Sequence, residues 1–188
     1  MAKISNKKDI LLLLLYSPGG SDLVNEPIVG RTRIIKMMYI FKKEILKEFK
    51  KGTKISEEDF YNFFPWNYGP FSDEIYGDLD FFVLHDFIEI KTPEYQEILK
   101  ESIEEFIEYN ELNQDDVEYI EEEFVLTSKG QEWTKNNLYT SLNENQKKIL
   151  TMFKDKVNST PLQVILKYVY SKYPEMTKKS LIKNEIIG

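Results

Sequence analysis

The chain contains no cysteine, a single histidine (His85) and only two arginines (Arg31 and Arg33) in 188 residues. Without cysteine there are no disulfides, no thiolate chemistry and no Cys-ligated zinc, which fits a reducing cytoplasm. A lone histidine excludes His-rich metal sites and leaves no His-centred triad. There is no Gly-rich phosphate loop, no serine elbow and no dinucleotide fingerprint. No stretch approaches the roughly 20 apolar residues that a membrane span requires. The run over residues 10–16 is apolar and follows Lys3, Lys7 and Lys8, much as a secretory leader begins. Asp9 interrupts that pattern and no small-residue cleavage site follows, so the run reads as a buried first helix. A cytoplasmic protein with no cofactor, no bound metal and no membrane attachment is expected.

The charge is unevenly placed. The net −7 divides into −1 over residues 1–93 (13 basic, 14 acidic), −12 over 94–123 (1 and 13) and +6 over 124–188 (11 and 5). Outside one acidic insert the chain is therefore mildly basic, and its overall acidity is a poor guide to partners.

Residues 63–83 organise the rest. Trp66, Tyr68 and Phe71 crowd a bend shaped by Gly69 and Pro70, a structural aromatic knot. A helix over 73–85 should follow, capped by Ser72, with Asp73 and Glu74 at its positive end and Phe71 stapled onto Tyr76. Its apolar positions are Ile75, Leu79, Phe82 and Val83, and its polar ones Asp78 and Asp80.

Before it, Asn6 or Ser5 caps a helix through Tyr16, and Pro18-Gly19-Gly20 ends that helix. A second helix spans 31–51 with Ile34, Met38, Phe41, Ile45 and Phe49 on one stripe. Ser56 with Asp59 suggests a brief helix, although residues 60–63 would equally suit a strand. After it, residues 88–91 read as a strand. Thr92-Pro93 starts an amphipathic helix with Tyr95, Leu99, Ile103 and Phe106 on one side and glutamates on the other. A second strand of ambiguous register runs over 117–126. Helices then begin at Thr127, at a Ser141/Glu144 box, at a Thr160/Gln163 box and at Thr177, with Pro174 stopping the third of these.

This order predicts a mainly α protein with a small β-hairpin: a winged-helix-like domain over residues 1–130, an acidic helical insert (93–116) in its wing, and a helical C-terminal extension over 131–188. The wing requires residues 88–91 to pair with the strand ending at Leu126. Two blocks carry a resemblance, Gly30-Arg31-Thr32-Arg33-Ile34-Ile35-Lys36-Met37-Met38-Tyr39 and Phe64-Pro65-Trp66-Asn67-Tyr68-Gly69-Pro70-Phe71-Ser72. With Phe124-Val125-Leu126-Thr127-Ser128-Lys129-Gly130 they cover roughly residues 8–135. The chain resembles the small prokaryotic YwgA-like proteins and is more distantly similar to the Panacea, or SocA-like, antitoxin domain. That resemblance implies a winged-helix-like fold and a regulatory, partner-neutralising role; the acidic insert departs from the compact antitoxin pattern.

The candidate sites are electrostatic. Arg31 and Arg33 stand at a helix start, where the dipole disfavours cations, with Lys36 one turn on; either an acidic partner neutralises the pair, or both are solvated, or the helix start binds an anion or nucleic acid through all three. Lys147, Lys148, Lys178 and Lys179, with Lys154, Lys156, Lys167 and Lys172, form a second basic candidate for nucleic acid, against an ordinary solvated face. Trp66 and Tyr68 line a pocket, stack a base or pack in the core. His85 reads as a partly buried packing residue. Asp78, Asp80 or Asp86 with Glu89-Ile90-Lys91 faintly resembles a nuclease metal site, which would need these groups on adjacent strands. The acidic insert is a solvated face, docks on this chain or on a second copy as a homodimer, or imitates nucleic acid.

The leading expectation is a non-enzymatic regulatory protein that binds a protein partner, as an antitoxin would, with nucleic acid as a candidate second contact. The alternatives are a winged-helix DNA-binding transcriptional regulator and, third, a metal-dependent nuclease.

Overall fold

Asn6 does begin the first helix. Its Oδ1 accepts from the Lys8 and Asp9 N–H groups, and Asp9 Oδ2 accepts in return from the Asn6 N–H, so donors that a helix start leaves orphaned are satisfied. In the computed structural model, which describes residues 4–92 and 122–187, this is α1 (Lys7–Tyr16), buried from Asp9 to Tyr16. From Ile10 onward every position is apolar or aromatic, and a helix apolar all round belongs in a core. The acidic helix expected over residues 93–116 lies outside the described residues. No described helix is long and apolar enough to cross a membrane.

The second helix is interrupted. α2 (Arg31–Ile40) runs through a π-helical segment (Phe41–Ile45) into α3 (Leu46–Phe49). The wider turn inserts a residue into the helical repeat, which brings Leu46 rather than Ile45 fully into the core beside Phe41 and Phe49. Ser56 and Asp59 make the expected local hydrogen bonds, yet residues 57–63 form neither helix nor strand. Phe60 and Tyr61 are buried there.

The aromatic bend is a β-hairpin. β2 (Phe64–Trp66) pairs antiparallel with β3 (Gly69–Phe71) across the two-residue turn Asn67-Tyr68, with Trp66 opposite Gly69. Gly69 has φ +82°, and a Cβ there would stand 2.7 Å from the Tyr170 ring, so both backbone and packing demand glycine. α4 (Asp73–Leu84) follows, and Phe71 packs on Tyr76 with ring centroids 5.3 Å apart. Ser72 occupies the cap position without capping: its hydroxyl is buried with no partner, and Asp73 Oδ1 accepts from the Glu74 N–H instead. Two further expectations fail on this helix. Val83 is exposed, and Asp78 faces inward, accepting from the Tyr61 hydroxyl and pairing with Lys8.

β4 (Ile88–Lys91) pairs antiparallel with β5 (Glu123–Leu126), Ile88 opposite Leu126 and Lys91 opposite Glu123. This is the pairing that the order of elements requires. A third strand that the sequence reading missed, β1 (Ile28–Val29), lies on the other side of β5, giving the order β1-β5-β4. Because β1 is only two residues long, the ladder ends before Leu126. Asn25, at φ 63°, extends it: its Oδ1 accepts from the Leu126 N–H (2.7 Å) and its Nδ2 donates to the Leu126 carbonyl (2.9 Å). Replacing Asn25 by Ala removes both bonds and strands the Leu126 N–H, while the Leu126 carbonyl keeps the Gln131 amide as a donor. A loss of about 1–3 kcal/mol in the urea unfolding free energy is expected.

α5 (Ser128–Asn137) is capped by Thr127, whose Oγ1 accepts from the Gly130 N–H. α6 (Glu144–Ser159) starts from an Asn143/Gln146 box, two residues later than the expected Ser141 cap; the Ser141 hydroxyl donates to the Leu138 carbonyl. α7 (Leu162–Lys172) lacks the expected Thr160 cap, because that hydroxyl bonds back to the Lys156 carbonyl. Residues Pro174–Thr177 form a 3-10 turn in which Thr177 donates to the Pro174 carbonyl, so the last helix, α8 (Lys183–Ile187), starts later than expected. α6 and α7 place Leu150, Phe153, Val157, Ile165, Leu166, Val169 and Tyr170 in the same buried cluster as α1 and α2. The protein is thus mainly helical with a small antiparallel sheet, and residues beyond 130 are built into its core.

Candidate functional site

The three cations at the start of α2 turn inward. Arg31 sits against the rings of Tyr76 and Phe124, and its guanidinium meets Glu122 at 2.9 Å and Asp80 at 3.3 Å. Arg33 donates to the backbone carbonyls of Val29, Val157 and Thr160, tying α2 to the α6–α7 junction. Lys36 is 2 % exposed and donates to the Pro70 carbonyl at 2.8 Å. Of the alternatives for the arginine pair, an acidic partner within this chain holds for Arg31, while carbonyl acceptors hold Arg33. Neither arginine is simply solvated, and Lys36 is not a surface cation at all.

The second basic candidate is also partly dismantled. Lys154 is fully buried, its Nζ donating to the carbonyls of Leu15 and Ser17 at 2.8 Å each, so it satisfies the C-terminal end of α1. Lys147 pairs with Glu144, and Lys172 lies between Glu44 and the Tyr168 hydroxyl. Lys148, Lys156, Lys167, Lys178 and Lys179 are exposed, and Lys179 stands 5.8 Å from the centre of the Trp66 ring.

Instead of a basic surface, the hairpin and α2 enclose a cavity of about 290 Å³. Trp66, Tyr68, Phe71 and Tyr76 contribute aromatic walls, Thr32 and Asn67 polar edges, and Lys36 a buried amine. Burial alone pushes the Lys36 amine down to about 7, as desolvation of an ammonium must. Trp66 and Tyr68 are 44 % and 51 % exposed, so they are not core residues; they form the lip of this cavity. In the β2–β3 register Trp66 stands opposite Gly69 and shares a face with Phe71, the two rings 6.5 Å apart, while Phe71 packs on Tyr76 and Gly69 lies against Tyr170.

A second cleft, of about 390 Å³, lies between α1, α4 and α5 and is lined by Lys8, Phe81, His85, Phe87, Lys129 and Trp133 among others. His85 is exposed rather than partly buried, with its ring 4.3 Å from that of Phe81. Leu84, 81 % exposed, stands next to it in the chain.

The nuclease-like acids do not converge. Asp78 is taken by Tyr61 and Lys8, Asp80 by Arg31, and Glu89 lies 3.7 Å from Lys91 on β4. Among the described residues no group of three or more Asp, Glu or His side chains is placed to hold a metal ion.

Two features of the cavity were missed by sequence reasoning. Tyr76 appeared only as a staple, and Lys36 only as surface charge. A signal for Lys36 exists: residues 34–40 are apolar at every other position, which leaves no solvent face on which a lysine could stand. No protein-family model matches this chain, and neither a curated protein nor a solved structure is similar to it.

Proposed function

We propose that this chain is a cytoplasmic regulatory protein that acts by binding another protein, on a winged-helix-like frame. The element order α1, β1, α2, α4, β4, β5, with α3 and the β2–β3 hairpin interposed before α4 and with an antiparallel three-stranded sheet, supports that frame, and in this reading β4 and β5 make its wing. α4 then stands where a reading helix would enter the major groove. The observation that carries the functional reading is the composition of this helix. It has no Lys or Arg, its exposed positions include Asp73, Asp80, Phe81 and Leu84, and its first turn is acidic. Phosphate binding depends on cations, whereas an exposed apolar group beside a cleft suits a protein surface. An antitoxin-like role is the form of this reading that the family resemblance favours, and Lys148, Lys178 and Lys179 supply secondary nucleic acid contacts at most.

Electrophoretic mobility shift of the full chain against duplex DNA and RNA tests it. No retardation at moderate salt is expected, with weak retardation appearing only at low salt. A tight, sequence-selective shift at moderate salt would instead favour a DNA-binding regulator. Co-purification from the native host supplies the positive arm: a stoichiometric protein partner is expected, and Phe81→Ala with Leu84→Ala should release it while leaving the fold intact.

A further inference from the structure

We infer that the cavity between α2, the β2–β3 hairpin and the start of α4 is a binding site for a small planar carboxylate, held by Lys36 between aromatic walls. This goes beyond the partner-binding reading and does not depend on it.

The two buried lysines make the argument by contrast. Lys154 donates to two carbonyls and feels the Glu26 carboxylate, so its burial is accounted for by the fold. Lys36 has three N–H donors and one acceptor, the Pro70 carbonyl, and among the described residues no carboxylate pairs with it. A buried ammonium without a counter-charge is a costly arrangement. Lys36 lines the cavity behind the hairpin. Of the other cations nearby, Arg31 already has Asp80 and Glu122, and Lys179, over the Trp66 ring at the lip, is exposed to solvent, which leaves Lys36 as the buried cation lining the cavity with no carboxylate partner among the described residues.

The remaining features specify the body of the ligand. A cavity of about 150 Å³ is enough for a benzene ring, so about 290 Å³ accommodates a one- or two-ring acid. Trp66, Phe71 and Tyr76 offer ring faces and edges suited to a flat apolar body. Trp66 and Tyr68 at the lip leave about half their surface to solvent, surface that such a ligand would cover. Thr32 adds a hydroxyl at the side of the cavity.

The test uses the full chain, with benzoate and indole-3-carboxylate as probes, benzamide as the uncharged counterpart and cyclohexanecarboxylate as the non-planar one. Binding is read by calorimetry and by quenching of Trp66 fluorescence in a Trp133→Phe background. Both aromatic acids are expected to bind saturably, with benzamide and cyclohexanecarboxylate weaker by about tenfold or more. Lys36→Met should weaken benzoate by a similar factor and leave benzamide unchanged. Trp66→Ala, a change at the exposed lip, should weaken both; it keeps the test decisive should Lys36→Met not fold. The inference is overturned if neither acid binds at millimolar concentration, if benzoate and benzamide bind equally, if cyclohexanecarboxylate matches benzoate, or if neither substitution changes benzoate affinity.

Discussion

Raising the pH from 7 toward 10 is expected to stabilise the fold by several kcal/mol, the reverse of the alkaline weakening usual for globular proteins. The cause is the pair Lys36 and Lys154, each pushed by burial from 10.5 down to about 7, Lys154 less than it would be without Glu26. Between these two values the unfolded chain holds protons on both lysines that the folded chain has released. Stability therefore rises with pH, by up to about 1.4 kcal/mol per unit for each lysine. It is fully present above 10.5 and lost as the pH falls through 7. Tyrosines set the upper limit. Burial first, and then the negative charges of Asp78 near Tyr61, Glu175 near Tyr39 and Glu44 near Tyr173, raise these phenols well above 10.0. Above pH 10 the unfolded chain ionises phenols that the folded chain keeps neutral, and stability falls again. Urea midpoints measured from pH 6 to 11 should peak near 10; a flat or falling profile between 7 and 10 would remove the argument.

The two lysines should part company on substitution. Lys36→Met exchanges an ammonium without a counter-charge for an apolar chain of similar length, leaving one carbonyl bare. At pH 6 it is expected to be neutral or stabilising. Lys154→Met strips the acceptors Leu15 and Ser17 of their donor at the end of α1 and should cost about 1–3 kcal/mol. Each variant also loses its own share of the rise with pH.

What could be read from the sequence was local and reciprocal. The Asn6 cap, the Phe71/Tyr76 staple and the Thr127 cap each join groups two to five residues apart, and each forms. The order and spacing of the strand candidates over residues 88–91 and 117–126 were enough to pair β4 with β5, though not to fix the register. Features set by distant contacts escaped. β1 is two residues long and exists only because β5 is beside it. The π-helical segment in residues 41–45 leaves no mark in an α-helical count. Asn143 displaced Ser141 as a cap because Leu142, between them, is buried and must precede the helix pointing inward. The candidate site failed in a more instructive way. Lys154 lies four residues after Leu150 and three before Val157, on the apolar stripe of α6, and Lys36 lies among isoleucines and methionines. Their spacing announced burial, and their charge led to a surface assignment.

Gly130→Ala is expected to destabilise the protein by about 2 kcal/mol or more, although the same exchange within a helix ordinarily stabilises by about 0.5–1 kcal/mol. The reason is a backbone contact. A Cβ on Gly130 would stand 2.1 Å from the Phe87 carbonyl oxygen and 3.0 Å from its carbon. That carbonyl has nowhere to retreat. It accepts from the Thr127 N–H, while the Thr127 hydroxyl donates to Asp86 and Lys129 Nζ to the His85 carbonyl, so the first turn of α5 grips three consecutive carbonyls leading into β4. The Phe87 ring is also held against Trp133. Moving α5 away would open its contact with α1 and disturb β5, whereas moving residues 85–87 would break those bonds; either adjustment exceeds the usual cost of overpacking a flexible side chain. Gly77 provides the internal comparison. It is exposed on α4, and a Cβ there meets nothing within 4 Å, so Gly77→Ala should raise stability by the ordinary helical amount. Chemical denaturation of the two variants beside the parent is expected to give midpoints displaced in opposite directions. Equal displacements would mean that the α5–β4 junction yields more readily than its hydrogen bonds imply.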